Sequence, residues 1–178
     1  MEPKMILDRI LITEEEIRER VAAIAAQIDA KYHERGELVL LCALKGAYVF
    51  TADLSRKIQT PHSVEFIQAA SYGNNTQSSG NVQLRETMSE DLAGKNILLV
   101  EDIYDRGLTL HRLVQHLREK KPESIEVCCF LVKDTKREKE TQINYYAFEV
   151  ADLFVVGYGL DYAQKMRNLP YVGVMAPA

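Results

Sequence analysis

"LLVEDIYDRGLTLHRLV", residues 98–114, decides how the chain folds. An apolar run climbs to Val100 and meets three acids in quick succession, Glu101, Asp102 and Asp105. Gly107 follows, and then an amphipathic run from Leu108. The pattern is that of a buried strand, a turn carrying carboxylates, and a helix. Like charges this close repel one another, so packing alone does not favour the arrangement. The first turn of a helix offers free amides and the positive end of its dipole, which together receive an anion. Acids and an anion receptor therefore stand side by side. A ligand suited to both carries a phosphate and hydroxyl groups, as a ribose 5-phosphate does. The plainer reading is a loop of solvated acids ahead of a capped helix.

Outward from this stretch the chain alternates between the two element types. Thr13 and Glu16 form a capping box, and Ile17, Val21, Ile24 and Ile28 recur at helical spacing, which predicts a helix from 14 to about 30. Leu38–Leu44 is an unbroken apolar run of strand length, expected to be covered on both faces. "KGAYVFTADLSRKI" predicts a second helix, and 63–71 alternates as a strand. "SYGNNTQSSGN" is expected to be a mobile loop, closed by a short strand near Val82–Leu84. Further buried strands are expected at Ile97–Val100 and Ile125–Val132, with a helix from Leu108 to about Lys120 between them. "KDTKREKETQ" reads as a solvated charged stretch, and short strands are expected at Phe154–Val156 and Tyr171–Val174. Strands alternating with helices imply an α/β fold with a central, mostly parallel sheet flanked by helices. In such sheets ligands bind beyond the carboxyl ends of the strands, which is where Glu101 and Asp102 are expected to lie.

Composition narrows the class. The chain has 178 residues, 47% hydrophobic, with a formal charge of −4. That suits one domain, and with a pI near 5.6 it argues against a general nucleic-acid binder. Cys42, Cys128 and Cys129 show no CxxC spacing and read as reduced, buried thiols of a cytosolic protein. The start, "MEPKMILDRI", is too charged for a signal peptide, and the run "LVLLCAL" is too short to span a membrane. The histidines His33, His62, His111 and His116 match no triad or metal spacing. There is no Walker A sequence, and Gly157-Tyr158-Gly159 lacks the third glycine of a dinucleotide fingerprint.

"VEDIYDRGLTL" resembles the phosphoribosyl-diphosphate-binding motif of the type I phosphoribosyltransferases. Over nearly its whole length the chain is similar to the hypoxanthine(-guanine) phosphoribosyltransferases of that family. "LLCALKGAYVF" resembles their pyrophosphate loop, "ASYG" the start of their catalytic loop, and "FLVKDT" the strand bearing a purine-contacting lysine. "DLFVVGYGLDYAQKMRNLPYVGV" resembles the hood over the purine, the feature that separates 6-oxopurine enzymes from their relatives.

The resemblance implies magnesium-dependent transfer of ribosyl 5-phosphate from its 1-diphosphate to hypoxanthine or guanine, releasing pyrophosphate. It implies a core over about 35–150 and a hood built from the N-terminal residues and about 151–178, within one domain. Asp105 is expected to act as general base at the purine imidazole nitrogen. Glu101 and Asp102 are expected under the ribose and on magnesium, with Asp161 reaching a second metal largely through water. Ile103 and Tyr104 belong to the same ligand-binding stretch. The backbone through Arg106, Gly107, Leu108 and Thr109, with the Thr109 hydroxyl, is expected to hold the 5-phosphate. Lys45 and Gly46 are implied at the pyrophosphate, with the Leu44–Lys45 peptide cis; without the resemblance Lys45 reads as a snorkelling surface residue. Lys133 is expected to donate to the purine exocyclic oxygen and so select 6-oxo over 6-amino bases. Phe154 is expected to stack on the purine, its alternative being a plain core aromatic. Val155 and Asp161 would read the purine edge through backbone groups. Arg167 is expected at the pyrophosphate, and Ser71 and Tyr72 in a loop that closes over the site. Position 106 departs from the family, which usually has a small hydroxyl residue there; the expected pose of Arg106 is outward. The expected partners are small molecules, without nucleic acid or membrane, in a cytoplasmic homodimer or homotetramer. An RNA-binding regulator of the same fold is the alternative, disfavoured by the acidic pI.

Overall fold

Leu38–Leu44 lies near the middle of a six-stranded sheet. The computed structural model describes residues 5–71, 82–88 and 91–178. In chain order the elements are β1 (Met5–Ile12), α1 (Glu14–Tyr32), β2 (Leu38–Leu44), α2 (Tyr48–Lys57), β3 (His62–Ser71), β4 (Val82–Glu86), β5 (Asn96–Tyr104), α3 (Leu108–Glu119), β6 (Ser124–Lys133), β7 (Tyr145–Val150), β8 (Val155–Val156) and β9 (Val172–Pro177). The large sheet has the order β4-β3-β2-β5-β6-β7, parallel throughout except for the β3-β4 hairpin. A second sheet, β1-β9-β8, is antiparallel and joins residues near the two ends of the chain.

Strand pleating explains why the central strands are apolar on both sides. Leu38 and Leu40, Leu98 and Val100, and Cys128 and Phe130 join a core with α1 and α2. The intervening Val39 and Leu41, Ile97 and Leu99, and Val127 and Cys129 join a core with Leu110, Leu113, Val114 and Leu117 of α3. Helix α1 begins at its capping box: the Glu16 amide donates to the Thr13 hydroxyl at 3.3 Å, and the Thr13 amide donates to the Glu16 carboxylate at 2.7 Å.

The structure departs from these expectations in five places. Strand β5 does not stop at Val100 but continues to Tyr104, so Glu101 and Asp102 lie within it rather than beyond its end. The reason is pairing: β6 stays beside β5 as far as Val132 opposite Tyr104, while β2 leaves it after Cys42 opposite Val100. Strands β1 and β7 were not foreseen. β1 is exposed along most of its length, which erases any alternation, and β7 follows directly on a charged stretch. That stretch, 133–142, is not uniformly solvated, because Thr135 and Arg137 turn inward. The second helix starts only at Tyr48, after a turn over 45–47. The expected mobile loop over 72–81 lies outside the described residues.

Phe130 of β6 joins three elements. Its ring centroid is 5.3 Å from Phe50 of α2, 5.9 Å from Phe148 of β7 and 4.7 Å from Tyr158, just after β8. Tyr158 in turn donates to Asp53 of α2 at 2.7 Å. Phe130→Ala is expected to lower the unfolding free energy by about 3–5 kcal/mol in urea titrations. A loss under about 1 kcal/mol would mean that these rings are not what joins the small sheet to the large one.

Candidate active site

The pairing of β2 with β5 ends at Cys42 and Val100, and several of the expected site residues lie on the segments that follow. On one side the Leu44–Lys45 peptide is cis. Gly46 follows, and a Cβ there would sit 1.4 Å from an Asp102 carboxylate oxygen, so no larger residue fits. On the other side Glu101 is buried and Asp102 half-buried. The Asp102 amide donates to Glu101 Oε1 at 3.3 Å and the Ile103 amide to Asp102 Oδ1 at 2.7 Å. Glu101 Oε2 is buried with no hydrogen-bond partner. Burial, reinforced by the neighbouring Asp102 charge, pushes the Glu101 carboxyl well above its usual range. Burial also pushes Asp102 upward, against hydrogen bonds and the Arg167 charge, which pull it down.

This pair fits magnesium. Magnesium takes oxygen ligands, needs one or two carboxylates from protein, and keeps water and phosphate for the rest. An orphaned carboxylate oxygen beside a second acid meets that requirement. Among the described residues no group of three or more His, Cys, Asp or Glu forms a closed cage. Asp161 is not drawn into a cluster with the pair: its oxygens take Arg167 at 2.7 Å and the Gln164 amide at 2.7 Å.

Beyond Tyr104 the turn changes character. Asp105 is half-exposed, its Oδ1 accepting from the Thr135 hydroxyl at 3.2 Å and its Oδ2 lying 3.7 Å from Lys133 Nζ. Lys133, the last residue of β6, also donates to Asp152 at 3.0 Å. Arg106 is exposed and pairs with Glu138 at 3.4 Å. This agrees in direction with the outward pose expected of its side chain. Gly107 is the N-cap of α3 at φ 86°, with no side-chain cap on the first turn. Its left-handed backbone, and a Lys139 carbonyl 2.0 Å from where a Cβ would stand, restrict the position to glycine. Leu108 and Thr109 begin the helix, half-buried and exposed. The turn so presents backbone amides at a helix start, the arrangement that receives an anion.

The C-terminal segment closes the remaining side. Phe154 is 47% exposed, meeting Tyr162 edge-on at 5.8 Å, which rules out the plain core aromatic. Val155 is buried in β8 opposite Val174. Arg167 donates to the Gly159 carbonyl at 2.7 Å and to Gln164 Oε1 at 3.2 Å, and Lys45 Nζ reaches the same Gln164 oxygen at 3.4 Å. Ser71 ends β3, and Tyr72 lies outside the described residues. A separate cavity of about 570 Å³ between α1, α2 and the Arg167–Pro170 segment touches none of the acids Glu101, Asp102 and Asp105. Thr135, Arg137, Asp152 and Gln164 escaped sequence reasoning, because nothing in their spacing distinguishes them from the charged and polar residues around them.

A carboxyl whose proton is held more tightly in the folded state stabilises the fold below its ordinary range. That contribution is lost as pH rises through the raised value. Without magnesium, Glu101→Gln is therefore expected to melt above the parent protein, by a few degrees more at about pH 8 than at about pH 5. Equal margins at both values would mean that Glu101 carries no such burden.

The model of the phosphoribosyl transferase domain matches residues 10–163. The hypoxanthine phosphoribosyltransferase of Salmonella typhimurium is 42% identical over 165 residues, covering 92% of this chain and 93% of its own. The hypoxanthine-guanine phosphoribosyltransferase of Bacillus subtilis is 42% identical over 172 residues, covering 97% and 95%. Among solved structures, a hypoxanthine-guanine phosphoribosyltransferase from Bacillus anthracis superposes with a TM-score of 0.89 at 41% identity, covering 95% of this chain and 99% of that one. Fold, site geometry and these likenesses agree: the chain belongs to the phosphoribosyltransferase family, among the hypoxanthine(-guanine) phosphoribosyltransferases.

Proposed function

We propose that this protein salvages purines by moving ribosyl 5-phosphate from its 1-diphosphate to hypoxanthine or guanine. The observation that carries the reading is the placement of Asp105 and Lys133, 3.7 Å apart at the ends of neighbouring strands, beside the buried acids of β5. A purine set across this pair offers its imidazole N–H to the Asp105 carboxylate and its exocyclic oxygen to the Lys133 ammonium. As the other imidazole nitrogen bonds to the ribose carbon, the bond to diphosphate breaks and its electron pair leaves with the diphosphate. The proton released from the purine nitrogen passes to Asp105. Positive charge on the sugar in the transition state is balanced by Glu101 and Asp102 lying beneath it. When bound there, magnesium neutralises the diphosphate oxygens.

The remaining residues position the two substrates. Amides from Asp105 to Thr109 and the Thr109 hydroxyl take the 5-phosphate at the start of α3. Lys45, the Gly46 backbone and Arg167 face the diphosphate, with Arg167 as a fork-shaped donor. We read β1, β8 and β9 as a hood that brings the exposed Phe154 ring onto the purine face, and the segment from Ser71 through Tyr72 as the part that excludes water. Asp161 contributes its backbone to the purine edge and, through water, a contact to a second metal. No helix of the described residues is long and apolar enough to cross a membrane. We read the protein as a cytoplasmic homodimer or homotetramer acting on small molecules.

The test is nucleotide formation from the sugar diphosphate and a panel of purines with magnesium. Hypoxanthine and guanine are expected to react and adenine is not, since its amino group meets the Lys133 ammonium donor to donor. Adenine turnover matching that of hypoxanthine would overturn the role of Lys133. Because Arg106 is engaged by Glu138, Arg106→Thr is expected to leave turnover intact and the KM for the sugar diphosphate within about threefold. A tenfold weaker affinity, about 1.4 kcal/mol, would make Arg106 a ligand contact.

A further inference from the structure

Arg137 lies in the charged segment after β6, yet its guanidinium is spent inside the protein. One terminal nitrogen donates to the Asp105 carbonyl at 2.8 Å, the Thr135 hydroxyl at 3.0 Å and the Thr135 carbonyl at 3.2 Å. The other donates to the Lys133 carbonyl. The guanidinium carbon stands 4.4 Å from the centre of the Tyr104 ring, whose hydroxyl accepts from the Thr141 amide at 2.9 Å. One side chain thus grips both strand ends that carry the reacting groups, and also the ring of Tyr104 at the end of β5.

The directions of the hydrogen bonds matter more than their number. Because the Thr135 oxygen accepts from Arg137, its own proton is left to donate, and the acceptor in reach is Asp105 Oδ1 at 3.2 Å. A fixed positive charge behind that hydroxyl polarises it toward the carboxylate. The opposite carboxylate oxygen faces Lys133.

We propose that Arg137 and Thr135 form a positioning relay for Asp105, which sets the carboxylate rotamer and its distance from Lys133. The inference rests on the reading of Asp105 as proton acceptor. Lysine in place of Arg137 keeps the charge but has no planar fork to bridge the carbonyls of Asp105 and Lys133 together.

The test uses steady-state kinetics with hypoxanthine and the sugar diphosphate on the intact protein. Thr135→Val, which keeps the volume and removes the hydroxyl, is expected to lower kcat about tenfold. The KM for the sugar diphosphate should stay within about twofold. Thr135→Ser is expected to restore kcat, and Arg137→Lys to fall about as far as Thr135→Val. In an Asp105→Asn background, Thr135→Val is expected to cost under about twofold more, because the relay then has no carboxylate to set. The relay is overturned if kcat survives Thr135→Val, if serine does no better than valine, or if the full tenfold loss persists on Asp105→Asn. A parent protein that forms no nucleotide overturns the functional reading and the relay together. An active parent indifferent to both substitutions overturns the relay alone.

Discussion

Everything in the site follows from one unequal pairing. β5 is flanked by β2 and β6 through its first half, but beyond Val100 only β6 remains. This is also where the winding of the sheet reverses: the chain proceeds from β2 outward to β3 on one side, and from β5 to β6 and β7 on the other. The strand therefore continues into a gap with half of its ladder missing. Two amides of this stretch are taken by acids, that of Asp102 by the Glu101 carboxylate and that of Ile103 by the Asp102 carboxylate. The same carboxylates thus also satisfy part of the backbone that carries them.

That solution carries a cost which the protein turns to use. Two adjacent carboxyls in a low-dielectric setting resist ionisation together, burial pushing both upward. The orphaned Glu101 oxygen fits the magnesium that we propose there. Gly46 shows how closely the gap is fitted, since even a methyl group would collide with Asp102.

The central strands were legible because burial on both faces leaves an unmistakable apolar run. The acids and the helix start were legible because like charges in succession are otherwise so unfavourable. The length of β5 was not, because acids normally mark the end of a strand and only the partner strand shows that pairing continues. β1 was hidden by its exposure. Thr135 and Arg137 were hidden by their neighbours: a lone threonine and arginine among Lys133, Asp134, Lys136 and Glu138 have no periodicity, and only the approach of the β5 turn gives them acceptors. Much of the remaining site was read through family likeness, since spacing alone does not connect Lys45, Phe154 and Arg167.

The small sheet has a consequence for the order in which the protein is made. The acids, the turn, the start of α3 and Lys133 all lie within 38–133, in strands that neighbour one another soon after synthesis. β9, by contrast, pairs Pro177 with Met5 and Val172 with Ile12, the longest separation among the described strand pairs. β8 has its own partner in β9 and waits for it as well. Closing such a span is entropically late, and it must follow emergence of the last strand from the ribosome. The nascent chain thus assembles the strands that carry the acids first and the Phe154-bearing sheet last, so until β9 has paired, the turn at the start of α3 stands without the small sheet.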